Sequence, residues 1–571
     1  MDKFTVARLL DEIARYLELS ESNPFKTRAY ERAARSVEKL DRDLTEIVAA
    51  GELLDTPGIG KGIAPIIEEI TASGTARMLE ELRAAYPPGI FELLRVPRLG
   101  LKKIGLLHAE LGIASIDDLE IAARSGRLAK LKGFGAKTQA QILEGIAWAR
   151  KRESQFLLTV GLEVAAHVLE QLGAIDAIGD AEVTGSVRRR LEVIRNVDIA
   201  IATDDREAVI VALAGIVAGL EVIEADLGQG VARGEMPVRF HLAEPKDFGA
   251  RVLLSTGSTE FVTAFSAKLE AAQMGFRDGQ LIRNGRALTT RTEHELFEKC
   301  DVAFLDPERR ETGEDLRRKT RVKLVQPSDL RGTFHVHTTW SDGRNSMLEM
   351  LTAARARGFD YVGVSDHSRT AYYAGGLTES QLHEQWAEID SHREEVLPLQ
   401  VFRGTEADIL QDGSIDYGAN VLSQFDFVVA SIHSNFTMPE DQMTERILTA
   451  LDDPHVTFLG HMTGRLLLSR DGYKVDYARI FDRAAARGVI IEINGSPKRL
   501  DVDWRHIGEA VERGVTFGIH PDAHSIHEMA NVITGTWVAR KAGLTAKHIF
   551  NTRSHAEVRQ HLDKRRKAAE Q

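Results

Sequence analysis

The chain has 571 residues, 43% apolar and 28% charged, with a formal net charge of -12. At roughly 100–200 residues per domain this is a folded protein of about three to five domains, which excludes a disordered or collagen-like chain. The single cysteine, Cys300, excludes disulfides and cysteine metal clusters, and the acidic total argues against broad non-specific phosphate binding. The opening stretch MDKFTVARLLDEIARYLELS has acids inside its only apolar run and does not read as a signal peptide. No apolar run reaches the roughly 18–20 residues that cross a bilayer, so the expectation is a cytoplasmic protein with no membrane partner.

Residues 1–150 read as helical, rich in Ala, Leu, Glu and Arg at amphipathic spacing. One pattern recurs three times: LLDTPGIGKGIAPIIEEI, LLRVPRLGLKKIGLLHAEL and LAKLKGFGAKTQAQILEGI. Each is a helix end, a tight glycine turn, a lysine and a second helix. Gly58 and Gly60, Gly100, and Gly133 and Gly135 mark the turns, with Lys61, Lys102 and Lys137 beside them. Such a hairpin aims free backbone N–H groups at a phosphate without needing a basic surface, which reconciles DNA binding with the acidic net charge. In the middle copy Arg98 stands where the others have their first glycine.

Residues 151–305 change character. Strand-like runs (AEVTGSV, VDIAIAT, ARVLLST) mix with helices such as LEVAAHVLEQLG, giving an α+β region. The stretch from Asp306 to Lys323 is strongly charged and poor in apolar residues, and 306–330 reads as a linker or surface arm.

From Arg331 short β runs alternate with helical ones: GTFHVHT, YVGVSDHS, VFRGTEADIL, FDFVVASIHS, VTFLGHM, VIIEING and TFGIHPDAH. Seven βα units predict a parallel barrel with polar residues at the C-terminal ends of its strands. Fifteen of the 19 histidines lie in residues 331–571, which points to a metal or acid–base site there. His520 and His527, beside the seventh strand, read as ordinary histidines.

These motifs together resemble the bacterial family X DNA polymerases that carry a C-terminal polymerase-and-histidinol-phosphatase (PHP) domain. The resemblance implies a multidomain fold. An all-α helix-hairpin-helix region divides into a small DNA-end-binding domain (1–82) and a fingers-like region (83–150). An α+β nucleotidyltransferase of palm and thumb type (151–305) follows, then the linker (306–330) and a distorted (β/α)7 PHP barrel (331–571). In the first part Lys26 and Tyr30 match positions that contact a 5′-phosphate. The Schiff-base lysine of the lyase members falls at Ile66, and isoleucine is no amine nucleophile.

In the middle part Gly185, Ser186, Arg189 and Gly257 match nucleotide-binding positions. Of the three aspartates that hold the polymerase metals, only Asp198 remains, with Asn196 and His241 in the other two places. Mg²⁺ prefers hard oxygen ligands, so polymerisation is expected to be weak, manganese-dependent or absent. Glu235, Glu244 and Asp247 are the nearest substitute carboxylates. Leu254 and Ser255 replace the aromatic pair before Thr256, and Val262 replaces the base-facing asparagine.

The PHP resemblance is intact. Its metal ligands fall on His335, His337, Asp342, His367, Glu406, His433, His461, Asp522 and His524, a set of mixed imidazole and carboxylate donors that suits Mn²⁺, Zn²⁺ or Fe²⁺, up to three ions. The His-x-His spacing is expected to put both rings on one side of a strand. Asp366 and Asp408 are candidates to orient ligands or move a proton, and Arg465 and Arg499 to hold a phosphate. The implied function is a DNA-repair 3′→5′ exonuclease with phosphoesterase activity. Its expected partner is gapped, nicked or broken DNA with a 5′-phosphate, with dNTP and Mg²⁺ or Mn²⁺ at the middle site, and the expected state is a nucleoid-associated monomer. Two alternatives stand beside it: a gap-filling polymerase helped by the nuclease, and a DNA-end scaffold with structural metals.

Overall fold

The computed structural model describes residues 3–569 except 21–23, 39, 41, 98, 225 and 233–235. Arg98 and Glu235 therefore lie outside the described residues. The chain divides into two compact units, Met1–Ser154 and Gln155–Gln571.

Among its described residues the first unit has helices and turns and no strand. Helix Lys3–Leu19 shows why: Val6, Leu9, Leu10, Ile13 and Leu17 recur at helical spacing and are all buried. Asp43 caps Leu44–Ala50 by accepting the Thr45 N–H, and Ser115 caps Ile116–Arg124 by accepting the Asp118 N–H. One apolar core runs from Val6 to Ala149, so the regions expected at 1–82 and 83–150 share it.

In the outer two hairpins Gly58 and Gly133 take φ of +91° and +90°, a left-handed conformation that costs glycine little. Ile59, Leu99 and Phe134, at the turn centres, are buried and anchor the turns. Gly100 and Gly135 stand immediately before helices Leu101–Leu111 and Ala136–Lys151. The first hairpin adds a turn before its helix, Ala64–Ser73.

In the second unit a five-stranded sheet has the order Asp180–Thr184, Val197–Ala202, Pro237–Ala243, Leu227–Val231, Ala218–Glu224. Only the pair Val197–Ala202 and Pro237–Ala243 is parallel. Helices Leu158–Leu172 and Arg206–Ile216 bury Val164, Val168, Leu172, Val209 and Leu213 against it. A separate three-stranded antiparallel sheet, Met274–Arg277, Gln280–Arg283 and Arg286–Leu288, shares a core with Phe261, Phe265 and Phe297.

Two expectations fail here. ARVLLST is not a strand: it lies in helix Phe248–Thr256, which buries Phe248, Gly249, Val252, Leu253 and Thr256. Those positions repeat at helical spacing, and packing overrides the strand preference of the Val-Leu-Leu run. The first part of the charged stretch, Asp306 to Glu311, is not a surface arm. Arg310 is fully buried and pairs with Glu293 at 2.5 Å, while Glu311 accepts from Arg189 at 2.8 Å. Arg540 binds Glu308 and Asp306, and Lys541 binds Glu311. The charges from Asp306 to Glu311 are turned inward and tie the palm-like sheet to the barrel, whereas Arg317, Arg318, Lys319, Arg321 and Lys323 are exposed, as a surface segment would have them.

The barrel strands are Gly332–Thr333, Tyr361–Val364, Gln400–Asp408, Phe427–Ser431, Phe458–Leu459, Ile490–Asn494 and Phe517–His520, parallel and in chain order. A parallel bridge between Val336 and Ala523 joins the first and last, with the His337 N–H donating to the Ala523 carbonyl at 2.9 Å. Phe334, Tyr361, Phe402, Phe427 and Phe458 fill the N-terminal end of the barrel, and Phe550 with helix His555–Ala569 closes it. Gly404 makes room for the Phe427 ring, since a Cβ there would lie 2.2 Å from it. With that end plugged by aromatic rings, the polar side chains collect at the C-terminal mouth, where barrel enzymes build their sites.

Candidate metal centre and nucleic-acid contacts

Glu406, near the end of the third strand, is the hub of the mouth. Its carboxylate lies 3.2 Å from His335 Nε2, 3.5 Å from His337 Nε2, 3.0 Å from His367 Nδ1, 3.4 Å from His433 Nε2 and 2.9 Å from His461 Nε2. On the far side Asp522 Oδ1 is 3.4 Å from His335 and 3.5 Å from His337. Asp342 Oδ1 is 3.3 Å from His524 and 3.6 Å from His367. The nine sequence-predicted ligands thus converge in four overlapping groups, each with donor atoms within 4.8 Å of one another.

This donor set fits divalent cations. His335 Nε2, both ring nitrogens of His337, His367 Nδ1 and His461 Nδ1 are buried and have no hydrogen-bond partner among the described residues. Buried polar atoms normally have a partner, and a bound cation would supply one here. Burial, then the imidazoles of His524 and His367, push the His337 ring down to about 3, so it stays neutral with a lone pair to give. Burial alone would raise the Glu406 carboxyl, but the imidazoles of His335, His367 and His433 hold it well below the usual carboxylate range.

Backbone strain marks two ligands. His335 and Asp522 take φ of +60° and +51°, a region that costs a side-chain-bearing residue about 1–3 kcal/mol. The first strand ends at Thr333, so strand alternation is not what aligns His335 with His337. Both rings still reach the cluster, their centroids 5.3 Å apart.

A second layer of polar groups fixes the ligands. Asp408 accepts from His433 Nδ1 at 2.6 Å, the orienting contact its position suggested. Asp366 does not touch its neighbour's ring. It accepts from the Thr338 N–H and hydroxyl at 2.8 Å each, from Ser341 Oγ at 2.6 Å and from Gln385 Nε2 at 2.7 Å, which pins the turn carrying Asp342. Sequence reasoning missed Glu492. It is fully buried in the sixth strand, 2.6 Å from His335 Nδ1 and 3.1 Å from His520 Nδ1, and it accepts the His461 N–H at 3.0 Å. Its signal was a lone acid inside the apolar run VIIEING.

The two arginine candidates separate. Arg499 Nε lies 3.3 Å from Asp522, so its guanidinium faces the ligand cluster. Arg465 does not: it binds Asp503 at 2.7 Å and the carbonyls of Arg499 and Leu500, and all its arms serve the 499–503 turn.

In the palm-like sheet the remaining carboxylate is already occupied. Asn196 Nδ2 donates to Asp198 Oδ2 at 2.7 Å, and His241 Nε2 lies 2.9 Å from Asp198 Oδ1. Among the described residues no third metal-ligating side chain joins them. Glu244 pairs with Lys246, and Asp247 accepts from Gln280. Gly185 packs onto Asp198, with Ser186 next to it in the short helix Gly185–Arg188. Arg189 is spent on Glu311 and the Thr256 carbonyl, at 2.8 and 2.6 Å. Gly257 lets Phe261 and Val262 pack close to the backbone.

In the first unit Lys26, Tyr30, Gly58 and Gly60 line one open pocket of about 510 Å³, joined by Arg32, which sequence reasoning passed over. Lys26 and Arg32 are exposed. Tyr30 offers its ring only, because it is buried and its hydroxyl donates to Met78 Sδ at 3.2 Å. Lys61, Lys102 and Lys137 are exposed at the three hairpins, and Ile66 packs on the helical core.

Comparison with known proteins bears on both units. Residues 1–76 match a helix-hairpin-helix domain and residues 333–496 a PHP domain. The chain is 34% identical over 565 residues to the DNA polymerase/3′-5′ exonuclease PolX of Bacillus subtilis, covering 98% of this chain and 99% of that one. It is 25% identical over 269 residues to a probable phosphatase of Caldanaerobacter subterraneus, covering 44% of this chain and 96% of the relative. A probable phosphatase of Photobacterium profundum is 30% identical over 172 residues, covering 28% of this chain and 63% of the relative. With helical hairpins at one end, a ligand-lined barrel at the other and a full-length relative between them, the chain belongs to the bacterial family X DNA polymerases that carry a PHP domain.

Proposed function

We propose that this protein hydrolyses phosphodiester bonds at the 3′ ends of gapped or broken DNA, as a metal-dependent 3′→5′ exonuclease. The 3′-phosphate and 3′-abasic ends of broken strands are substrates of the same chemistry. The observation that carries this reading is the convergence of nine ligand-type residues, Glu406 among them, in four overlapping groups at the barrel mouth, with Arg499 beside them. The name of the Bacillus relative supports it.

Divalent ions held there, Mn²⁺ first and Zn²⁺ or Fe²⁺ as alternatives, would neutralise the phosphate and lower the pKa of the attacking water. The chain's own residues do the rest. Asp408 keeps a proton on His433 Nδ1, which leaves Nε2 for the cluster. Glu492 does the same for His335. Asp366 holds the Thr338–Ser341 turn so that Asp342 faces His524 and His367. Arg499 is placed to receive a phosphate oxygen. The helical unit holds the DNA end: Lys26 and Arg32 meet a 5′-phosphate, and the hairpins with Lys61, Lys102 and Lys137 meet the backbone.

The middle site is a departed polymerase site. Two-metal phosphoryl transfer needs clustered carboxylates, and Asp198 already binds Asn196 and His241. Incorporation of dNTP is expected to be absent with Mg²⁺ and at most slow with Mn²⁺. A structural role for the barrel metals is disfavoured, because structural sites close with about four ligands, whereas nine ligand-type residues gather here.

End-labelled gapped DNA incubated with Mn²⁺, with and without dNTPs, ranks these readings. Shortening is expected, and it should disappear in His335→Ala and in chelator. Extension that is lost in Asp198→Ala would make the polymerase the main activity. Undiminished shortening in chelator would overturn the metal reading.

A further inference from the structure

The loop between the second barrel strand and the next helix is built for more than connection. It leaves at ligand His367 and returns at Leu377, whose N–H donates to the His367 carbonyl at 2.9 Å. At its first foot the Ser368 N–H donates to the Glu406 carbonyl at 3.0 Å. Asp416, itself buried, clamps the middle: it accepts from Arg369 Nε at 3.0 Å and from the Thr370 N–H and hydroxyl at 2.7 Å each. Ala371 and Ala374 are buried anchors, and Gly375 packs on the backbone of Ser341, beside ligand Asp342.

On this rigid, ligand-attached loop Tyr372 and Tyr373 stand 86% and 63% exposed, their rings edge to face with centroids 6.0 Å apart. Neither ring is spent on the core, so fold stability gives no account of them. Tyr373 nevertheless lies within electrostatic reach of the mouth: partial burial, then the charges of Asp408, Glu406 and Asp342, push its hydroxyl up, with Arg499 opposing. The pair thus forms an aromatic step at the edge of the ligand cluster.

We propose that Tyr372 and Tyr373 stack on nucleobases of the strand whose 3′ end enters the metal centre and so position that end. This rests on the nuclease reading above. Every base has a π-face, so such a step grips without reading sequence, and base–aromatic stacking is worth about 1–3 kcal/mol per base.

The test compares full-length protein with Tyr372→Ala/Tyr373→Ala. Substrates are single-stranded DNA with normal bases or with two base-free sugar residues at the 3′ end. Wild type should prefer the normal end by about 5- to 150-fold in kcat/KM, the range that one stacked base supplies. The double alanine variant should lose most of that preference, and Tyr372→Phe/Tyr373→Phe should keep it. In parallel, 2-aminopurine at the 3′ end should be quenched on binding to wild type and less so to the alanine variant. A preference unchanged by the alanines, with unchanged quenching, would overturn the proposal and leave the exposed rings to some other partner, such as a protein. If wild type hydrolyses neither substrate, the nuclease reading fails, and the quenching still decides whether the rings bind a base.

Discussion

Glu492 has 0% exposure and is held by the rings of His335 and His520, by the His461 N–H and by Asn494, whose Nδ2 donates to it at 2.8 Å. Burial would raise such a carboxyl, but His335 and His520 keep it ionised. Glu492→Gln keeps the volume but can set an amide N–H against the protonated Nδ1 of His335. Partners that orient metal ligands typically change affinity by about 10–100-fold, so Mn²⁺ binding should weaken by that order, with nuclease activity recovering as Mn²⁺ is raised. Titration of activity against Mn²⁺ checks this, and an unshifted midpoint would reduce Glu492 to a packing residue. Ligands at strand ends stand out in the sequence by residue type and spacing, whereas an acid in mid-strand does not. Arg465 and Arg499 are equally suited to a phosphate by type, but only the fold shows that Arg499 faces the cluster while Arg465 serves the 499–503 turn. Residue type was legible at these positions; direction was not.

At the scale of elements, the barrel was the most readable part. Its strands are short β runs ending in polar residues, and all seven lie where the pattern put them. The hairpins were readable for a different reason, since turns of this shape leave few alternatives to glycine at Gly58 and Gly133. What failed were two elements whose local pattern was outvoted by packing. ARVLLST follows its buried helical face, and the charges from Asp306 to Glu311 find their partners inside the protein, so high charge there did not mean solvent. The first hairpin carries its own prediction. Lys26 and Arg32 share its pocket, so Lys26→Ala/Arg32→Ala should weaken binding to gaps bearing a 5′-phosphate more than to gaps lacking one. It should also flatten the dependence of log affinity on log salt by about one unit for each phosphate no longer neutralised. Equal weakening on both gaps in a binding titration would remove the phosphate from this pocket.

At the scale of the molecule, the second unit is held by a seam of charges between the palm-like sheet and the barrel. Lys541 is a buried cation of this seam, donating to Glu311 at 2.6 Å and to the Arg189 carbonyl at 3.0 Å. Burial pulls its pKa down to about 8, against the charge of Glu311. An unfolded lysine titrates near 10.4, so between these values the unfolded chain binds more protons and stability rises with pH. The difference in unfolding free energy between wild type and Lys541→Met should therefore move in favour of wild type from pH 8 to pH 10, by about 1.4 kcal/mol per pH unit at most. A flat difference would mean that Lys541 keeps its proton throughout. The seam also decides where the polypeptide is open to cutting. Arg310 and Glu311 are tied toward the sheet, and Arg540 and Lys541 come from the barrel to meet Asp306, Glu308 and Glu311, so residues 306–311 offer a protease little slack. Brief digestion should nick the chain near Ser154, at the boundary of the two compact units, and leave a fragment that retains both the palm-like sheet and the barrel. A barrel excised at residue 331 would carry Arg540 and Lys541 stripped of their counter-charges and Trp537 stripped of its cover. The smallest piece expected to survive on its own is therefore 155–571.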